Sequence, residues 1–292
     1  MLTKELTTHI LDFVRQQPRT INDLAQHLKK NWRTADRYVE TITQETGLIK
    51  TTTFRGGTRG ALKIVYWNAL ETTKGTQYQE RLLQRILKGT KKEDFSPFDI
   101  YQFCTPEKRQ AYHETDEYQL SPAVRFENLI TTAREQILFF SGNVSWTEFD
   151  NHIYQTLEHL AKKRIKINII TRVTFIEKEK ITKLLTINQR VGWDAISIRH
   201  QEQPLRGMII DNELTSLKEV FKPENYREQE LKKKTFLFYL IKDKNWITWL
   251  QKVFWHLWEN SIDAQERLAT LETVKNLTVP KTYKATKNNK KQ

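Results

Sequence analysis

Apolar residues near the N-terminus recur at helical intervals. Leu6, Ile10, Phe13 and Val14 share one face until Pro18 ends the pattern. Ile21, Leu24, Ala25 and Leu28 repeat it behind Thr20. Ala35, Val39 and Ile42 mark a third helix that Asn31 can cap and that ends near Gly47. The runs Leu48 to Phe54 and Leu62 to Trp67 are β-rich, on either side of the glycine-rich tip Arg55-Gly56-Gly57-Thr58-Arg59-Gly60. Residues 1–68 therefore predict three helices and a hairpin.

A connector over 69–120 follows. Gln77 to Leu87 carries Tyr78, Leu82, Leu83 and Ile86 on one helical face and closes at Gly89, while 95–120 shows no regular period. From 121 to 262 helical and β patterns alternate. Helices are expected over Ala123–Arg134, Thr147–Arg164 and Ile176–Thr186, and strands over Gln136–Ser141, Ile165–Thr171 and Ala195–Arg199. Gly207–Asp211 and Leu214–Val220 pair as a hairpin, Thr235–Lys242 is a strand, and Lys244–Ser261 is a long helix. Strands separated by helices imply βαβ units and a mixed sheet covered on both faces. The expected fold class is α/β, with a small helical head before a mixed-sheet body. Residues 263–292 read as a basic, disordered tail.

Charge sharpens this division. Of the 292 residues, 48 are Lys or Arg and 35 Asp or Glu, a formal net charge of +13. Residues 1–68 hold eleven Lys and Arg against six acids, and 276–292 hold five Lys and no acid. The stretch between is close to neutral. A surplus concentrated at both ends points to polyanions, with nucleic acid ahead of an anionic membrane surface. The single cysteine, Cys104, has no partner for an internal disulfide, which fits a reducing cytoplasm. The longest uninterrupted apolar run, Phe236 to Ile241, is six residues, against the roughly 20 that a membrane helix needs. No apolar h-region follows Lys4 and Glu5, so neither a membrane span nor a secretion signal is expected.

The order helix, helix, helix, hairpin, with a basic third helix and a basic tip, resembles a winged helix-turn-helix domain. That resemblance implies a third helix in the major groove of double-stranded DNA. Helical spacing from Ala35, Val39 and Ile42 leaves Arg33, Thr34, Arg37 and Tyr38 pointing outward. Two arginines one turn apart can read guanine edges or clamp phosphates. Arg55 and Arg59 flank the glycines of the tip, whose bare backbone allows close approach to DNA. The competing reading of Arg33 and Arg37 is a solvated helix face.

The body resembles the phospholipase D-like fold, and the pairing of head and body resembles TrmB-type transcription regulators. The carrying segment is Pro204-Leu205-Arg206-Gly207-Met208-Ile209-Ile210-Asp211. The family's catalytic pattern is His-x-Lys-x-x-x-x-Asp on a strand. Aligned on Asp211, this chain has Pro204 at the position of the nucleophilic His and Arg206 at that of the Lys. His200 lies four residues off register, and no second copy of the motif is present. The resemblance therefore implies a non-catalytic relative, in which the body binds a small polar effector or mediates dimerisation. Arg206 and Asp211 are the candidate ligand-binding pair, with an internal ion pair as the alternative.

Other chemistry finds little support. His152, His159 and Glu148 share a helix face, but no HExxH or paired Cys accompanies them, so a solvated face is expected and no metal or cofactor is implied. Trp246, Trp249, Leu250, Val253, Phe254 and Leu257 form the core stripe of the long helix, with Trp255 opposite as a candidate subunit contact. The sequence reads as a homodimeric, DNA-binding transcription regulator. A phospholipase D-superfamily nuclease targeted by the head, and a scaffold binding DNA without sequence preference, are the rival readings.

Overall fold

Threonine side chains start the first two helices by the same device. Thr3 Oγ1 accepts the Leu6 N–H at 3.2 Å to open α1 (Lys4–Gln16). After the short strand β1 (Arg19–Thr20), Thr20 and Asp23 exchange side-chain and backbone bonds in a capping box that opens α2 (Ile21–His27). Asn31 Oδ1 accepts the Thr34 N–H at 2.8 Å ahead of α3 (Trp32–Thr46). The computed structural model describes residues 2–46, 48–55, 61–67, 75–117, 119–148, 152–226, 231 and 233–278.

The hairpin strands β2 (Ile49–Arg55) and β3 (Ala61–Trp67) complete an antiparallel sheet of order β1-β3-β2. Alternation gives this hairpin two different buried faces. Ile49 and Val65 close the head core with Ile10, Val14, Leu24, Ala35, Val39 and Ile42. Phe54, Leu62 and Ile64, on the other face, belong to a core built mainly by the body.

The connector supplies α4 (Gly75–Lys88), whose Leu82 and Ile86 are buried, then α5 (Phe98–Tyr101) and β4 (Arg109–Glu114). The last two lie in the stretch where the sequence shows no period. Beyond it come α6 (Phe126–Ile130), β5 (Gln136–Phe140), α7 (Ile153–Lys162), β6 (Lys166–Thr171), α8 (Lys178–Val191) and β7 (Ile196–His200). Then follow β8 (Gly207–Ile210), β9 (Leu214–Phe221), β10 (Thr235–Ile241), α9 (Lys244–Glu259), β11 (Ile262–Asp263) and α10 (Ala264–Thr278).

Eight strands form one mixed sheet of order β11-β7-β6-β5-β8-β9-β10-β4, parallel only within β5-β6-β7. Helices α6, α7, α8 and α10 cover one face. Helices α4, α5 and α9, with the head's hairpin, cover the other. The mixed sheet covered on both faces, the β8–β9 hairpin and the buried stripe of α9 all agree with the sequence pattern.

Two expectations need correction. Residues 263–278 are not part of a disordered tail: they form β11 and α10, and Ala264 and Leu268 are buried against the sheet. The remaining positions of α10 are mostly exposed, so its apolar pattern is too sparse to register as periodic. Residues 279–292 lie outside the described region. The helix expected over Ala123–Arg134 shrinks to α6, because Arg125 is extended (φ −64°, ψ 126°) and its guanidinium turns back to the Leu120 carbonyl at 3.3 Å.

Candidate nucleic-acid interface and strand-end crevice

The exposed side of α3 is built by default. Ala35, Val39 and Ile42 are buried completely, so the rest of the helix surface must face away from the head core. Arg33 and Arg37 stand exposed one turn apart, and Thr34 is half-buried between them. Tyr38 does not join this face: it is only 6% exposed and packs in the head core, the larger α3 stripe having taken it in. The Arg37 guanidinium carbon lies 5.9 Å from the Tyr38 ring centroid, so the buried ring serves as a platform for the outward charge. Arg55 ends β2, and Arg59 lies outside the described residues.

Two acids of α3 are neutralised from the hairpin. Lys63 of β3 meets Asp36 at 2.6 Å and Glu40 at 3.1 Å. Burial opposes its charge, but these two bonds prevail and hold the Lys63 pKa above its ordinary value. Arg33 and Arg37 are exposed on the same helix, preceded by exposed Lys29 and Lys30. The sequence reading passes over Trp32, which is 42% exposed at the first position of α3. An aromatic one residue before the arginines, off the Ala35-Val39-Ile42 stripe, was the available signal.

The second candidate lies where the parallel strands end. Ser141, Arg172 and Gln201 follow β5, β6 and β7 directly, and with Gly142, Gln203 and Arg206 they line a crevice of about 140 Å³. In open α/β sheets this is the place where ligands enter. Arg206 is held by its own loop, Nη1 donating to the carbonyls of Gln203 at 2.7 Å and Leu205 at 2.6 Å. Gly142 makes room for it, since a Cβ there would stand 2.3 Å from Arg206 Nε. Burial, helped by the nearby Arg172 charge and opposed by Glu93, pushes the Arg206 pKa down. Gln203 is 2% exposed and donates to the Ser141 carbonyl at 3.1 Å, leaving its buried Oε1 without a partner.

Asp211 is not part of this crevice. It follows β8 where Arg206 precedes it, so the whole strand separates the two, and among the described residues they form neither a shared ligand site nor an ion pair. Its carboxylate instead accepts the N–H groups of Arg134 at 3.0 Å and of Glu135 and Gln136 at 2.9 Å each. Asp211 sits at φ +50°, in the left-handed region, and its carbonyl accepts from Gln251 of α9 at 2.9 Å. The residue fastens the start of β5 to the end of β8.

No histidine or cysteine lines the crevice among the described residues. His200 Nδ1 accepts the Val173 N–H at 2.9 Å, which places any ring hydrogen of the neutral form on Nε2. Burial and the Arg267 charge keep its pKa below the usual histidine value. The Cys104 thiol donates to the Ile100 carbonyl at 3.4 Å, and burial pushes its pKa up to about 12. His152 and His159 are exposed and Glu148 pairs with Lys180 at 2.8 Å, a solvated face. Among the described residues no three His, Cys, Asp or Glu side chains converge to hold a metal ion, and no helix is long and apolar enough to cross a membrane.

No protein-family model matches the sequence, and no curated protein is similar to it. Among solved structures, the chain is similar over 88% of its length to 91% of TrmBL2, an archaeal chromatin protein, at 14% identity and a TM-score of 0.39. Over 53% of its length it is similar to 99% of NucT from Helicobacter pylori, at 15% identity and a TM-score of 0.38. The same share is similar to 96% of Nuc, a phospholipase D family member from Salmonella typhimurium, at 13% identity and a TM-score of 0.38. At these scores none of the likenesses bears on function, which rests on the residues described above.

Proposed function

We propose that the chain is a regulator of transcription that binds double-stranded DNA through a winged helix-turn-helix head. In this reading the phospholipase D-like body is non-catalytic, holds the head and pairs with a second copy. The observation that carries the reading is the exposed pair Arg33 and Arg37 on α3, with Asp36 and Glu40 between and beyond them tied up by Lys63. A bare basic face on a helix backed by its own core is what a major-groove reader requires. The arginine-lined crevice, with its unpartnered Gln203 Oε1, is the seat for a small polar, anionic effector. The rival phosphodiesterase reading is disfavoured because Pro204 offers no nucleophile and the Nδ1 lone pair of His200 is already used.

The test is selection of duplexes from a random library, followed by affinity measurement across a salt series. Arg33→Ala or Arg37→Ala should weaken the selected duplex by about 1–3 kcal/mol where the side chain contacts a base, and scrambled duplexes far less. Equal affinity for selected and scrambled DNA at fixed salt would replace this reading with non-specific scaffolding. Hydrolysis of phosphodiester substrates by the purified chain, lost in His200→Ala, would replace it with the enzyme.

A further inference from the structure

Where the head meets the body the seam is not fully packed. A cavity of about 210 Å³ lies between β1 and α2 on the head side and the end of β9 on the body side. At about 30 Å³ per water-sized group it has room for roughly seven such groups. It continues into an open cleft that shares Arg19, Asp23 and Asn225 with it. Gln26 Nε2 donates across the mouth to the Asn225 carbonyl at 2.6 Å.

Arg19 on the head side and Glu219 on the body side are not paired with one another. The Arg19 guanidinium lies 4.0 Å from the Phe13 ring centroid and Nε reaches the Phe13 carbonyl at 3.5 Å. Its terminal nitrogens have no partner among the described residues, and burial lowers its pKa despite the nearby Asp23. Lys92 lines the same cavity but already pairs with Glu93 at 3.8 Å. On the body side, Glu219 accepts from Tyr239 Oη at 2.8 Å and bonds Ser96, but no cation pairs with it among the described residues. Burial, with Asp99 and Asp23 adding like charge, pushes its pKa up to about 7. The cavity thus offers the Arg19 guanidinium to an anion and the Glu219 carboxyl to a donor.

We propose that this seam binds a small metabolite bearing a carboxylate and an amino or hydroxyl group, the carboxylate on Arg19 and the donor on Glu219. Binding there would also set the pose of the head, because head and body each supply one wall and a ligand favours the spacing that suits it. That second part rests on the DNA-binding reading; the first does not. The site is separate from the strand-end crevice, with which it shares no lining residue.

Calorimetric titration of the full chain with the proteinogenic amino acids, lactate and malate tests the site directly. Acetate and glycerol serve as controls that carry only one half of the chemistry. At least one amino or hydroxy acid should saturate the protein at or below about 10 mM, with both controls at least about tenfold weaker. Arg19→Gln and Glu219→Gln should each weaken the bound probe at least about tenfold, with Arg19→Lys intermediate. Thermal melts confirm that the variants are folded, and Glu219→Gln keeps the side-chain shape if an arginine variant fails. Binding by no member of the panel, or binding that neither variant alters, overturns the site. The probe that binds should shift duplex affinity at least about fivefold. An unshifted affinity overturns the coupling and leaves the site. A chain that binds the probe but no DNA overturns the DNA-binding reading and the coupling with it.

Discussion

Phe54 of the head hairpin presents its ring edge-on to Tyr239 in the body's sheet, with centroids 6.2 Å apart and planes at 79°. Phe98 of α5 meets the same Phe54 ring at 6.1 Å and 82°. Edge-to-face geometry of this kind is favourable beyond the area it buries. The contact makes the hairpin a shared wall between two cores. The head is therefore seated on the body, and a change at the body's surface has a packed route to α3.

Removing that ring should show how tightly the two parts are joined. Phe54→Ala is expected to cost about 3–5 kcal/mol, the usual penalty for an emptied aromatic core site. Calorimetric melting of the wild type should give one transition. Two transitions, with Phe54→Ala moving neither by more than the surface norm of about 0.5 kcal/mol, would refute a cooperative seam.

Asp211 is expected to matter for stability and not for ligand binding. Asp211→Ala strands three N–H groups at the start of β5. Each such loss costs about 1–3 kcal/mol when buried. Urea denaturation should therefore register at least about 2 kcal/mol. A near-neutral Asp211→Ala would show that water replaces the carboxylate.

Gly207 is irreplaceable for a geometric reason. Its φ is +152°, and a Cβ would stand 2.0 Å from the Ser216 carbonyl oxygen across the β8–β9 pair. Gly207→Ala should lower stability by at least about 2 kcal/mol, since neither backbone can yield without breaking the ladder. Chemical denaturation against wild type measures it.

The pH dependence of stability carries the mark of Glu219. The fold holds its proton up to about pH 7, against an ordinary value of 4.5. Its contribution is full below pH 4.5 and is lost as pH rises through about 7. His113 and His200 run the other way: burial lowers both values, so their contribution falls away as pH drops below 6.5. The difference between wild type and Glu219→Gln isolates the carboxyl. It should favour wild type at pH 5 relative to pH 8 by about 1–3 kcal/mol. A difference independent of pH would mean that Glu219 is ionised throughout.

Trp255 tests the proposed pairing of two copies. It is 37% exposed on α9, edge-on to Phe254 at 5.3 Å and to Trp258 at 6.0 Å. Tryptophan held by aromatic neighbours at a surface suits an interface centre. Trp255→Ala should raise the dimer dissociation constant at least about tenfold, or about 1.4 kcal/mol. Sedimentation equilibrium reads it, and a monomeric wild type removes the residue from any dimer.

The head was legible in the sequence because its helices are short, capped by Thr or Asn and marked by strict apolar spacing. Tyr38 misled because spacing counted from three small or branched residues underestimates how wide a buried stripe becomes. The βαβ run read well for the same reason as the head. Residues 95–120 did not, since α5 and β4 are ordered by contacts with distant β10 and not by local period. Arg206 and Asp211 were paired on motif spacing alone, yet a strand holds its two ends apart. The seam cavity had no sequence signature: Arg19 and Glu219 are far apart in the chain, and only the seating of the head on the body brings them to one cavity.

Strand β10 is buried at all seven positions and reads TFLFYLI, a segment of the type that self-associates when left unpaired. Its two neighbours, β4 and β9, both precede it in the chain. During synthesis, the partners on each side have therefore left the ribosome before the sticky strand emerges, and it can be sheathed on arrival. β4, with its polar RQAYHE sequence, then forms the outer border. A circular permutant that begins at β10 would deliver that strand first and expose it for the whole of translation, so such a rearrangement, leaving every native contact intact, should still yield inclusion bodies.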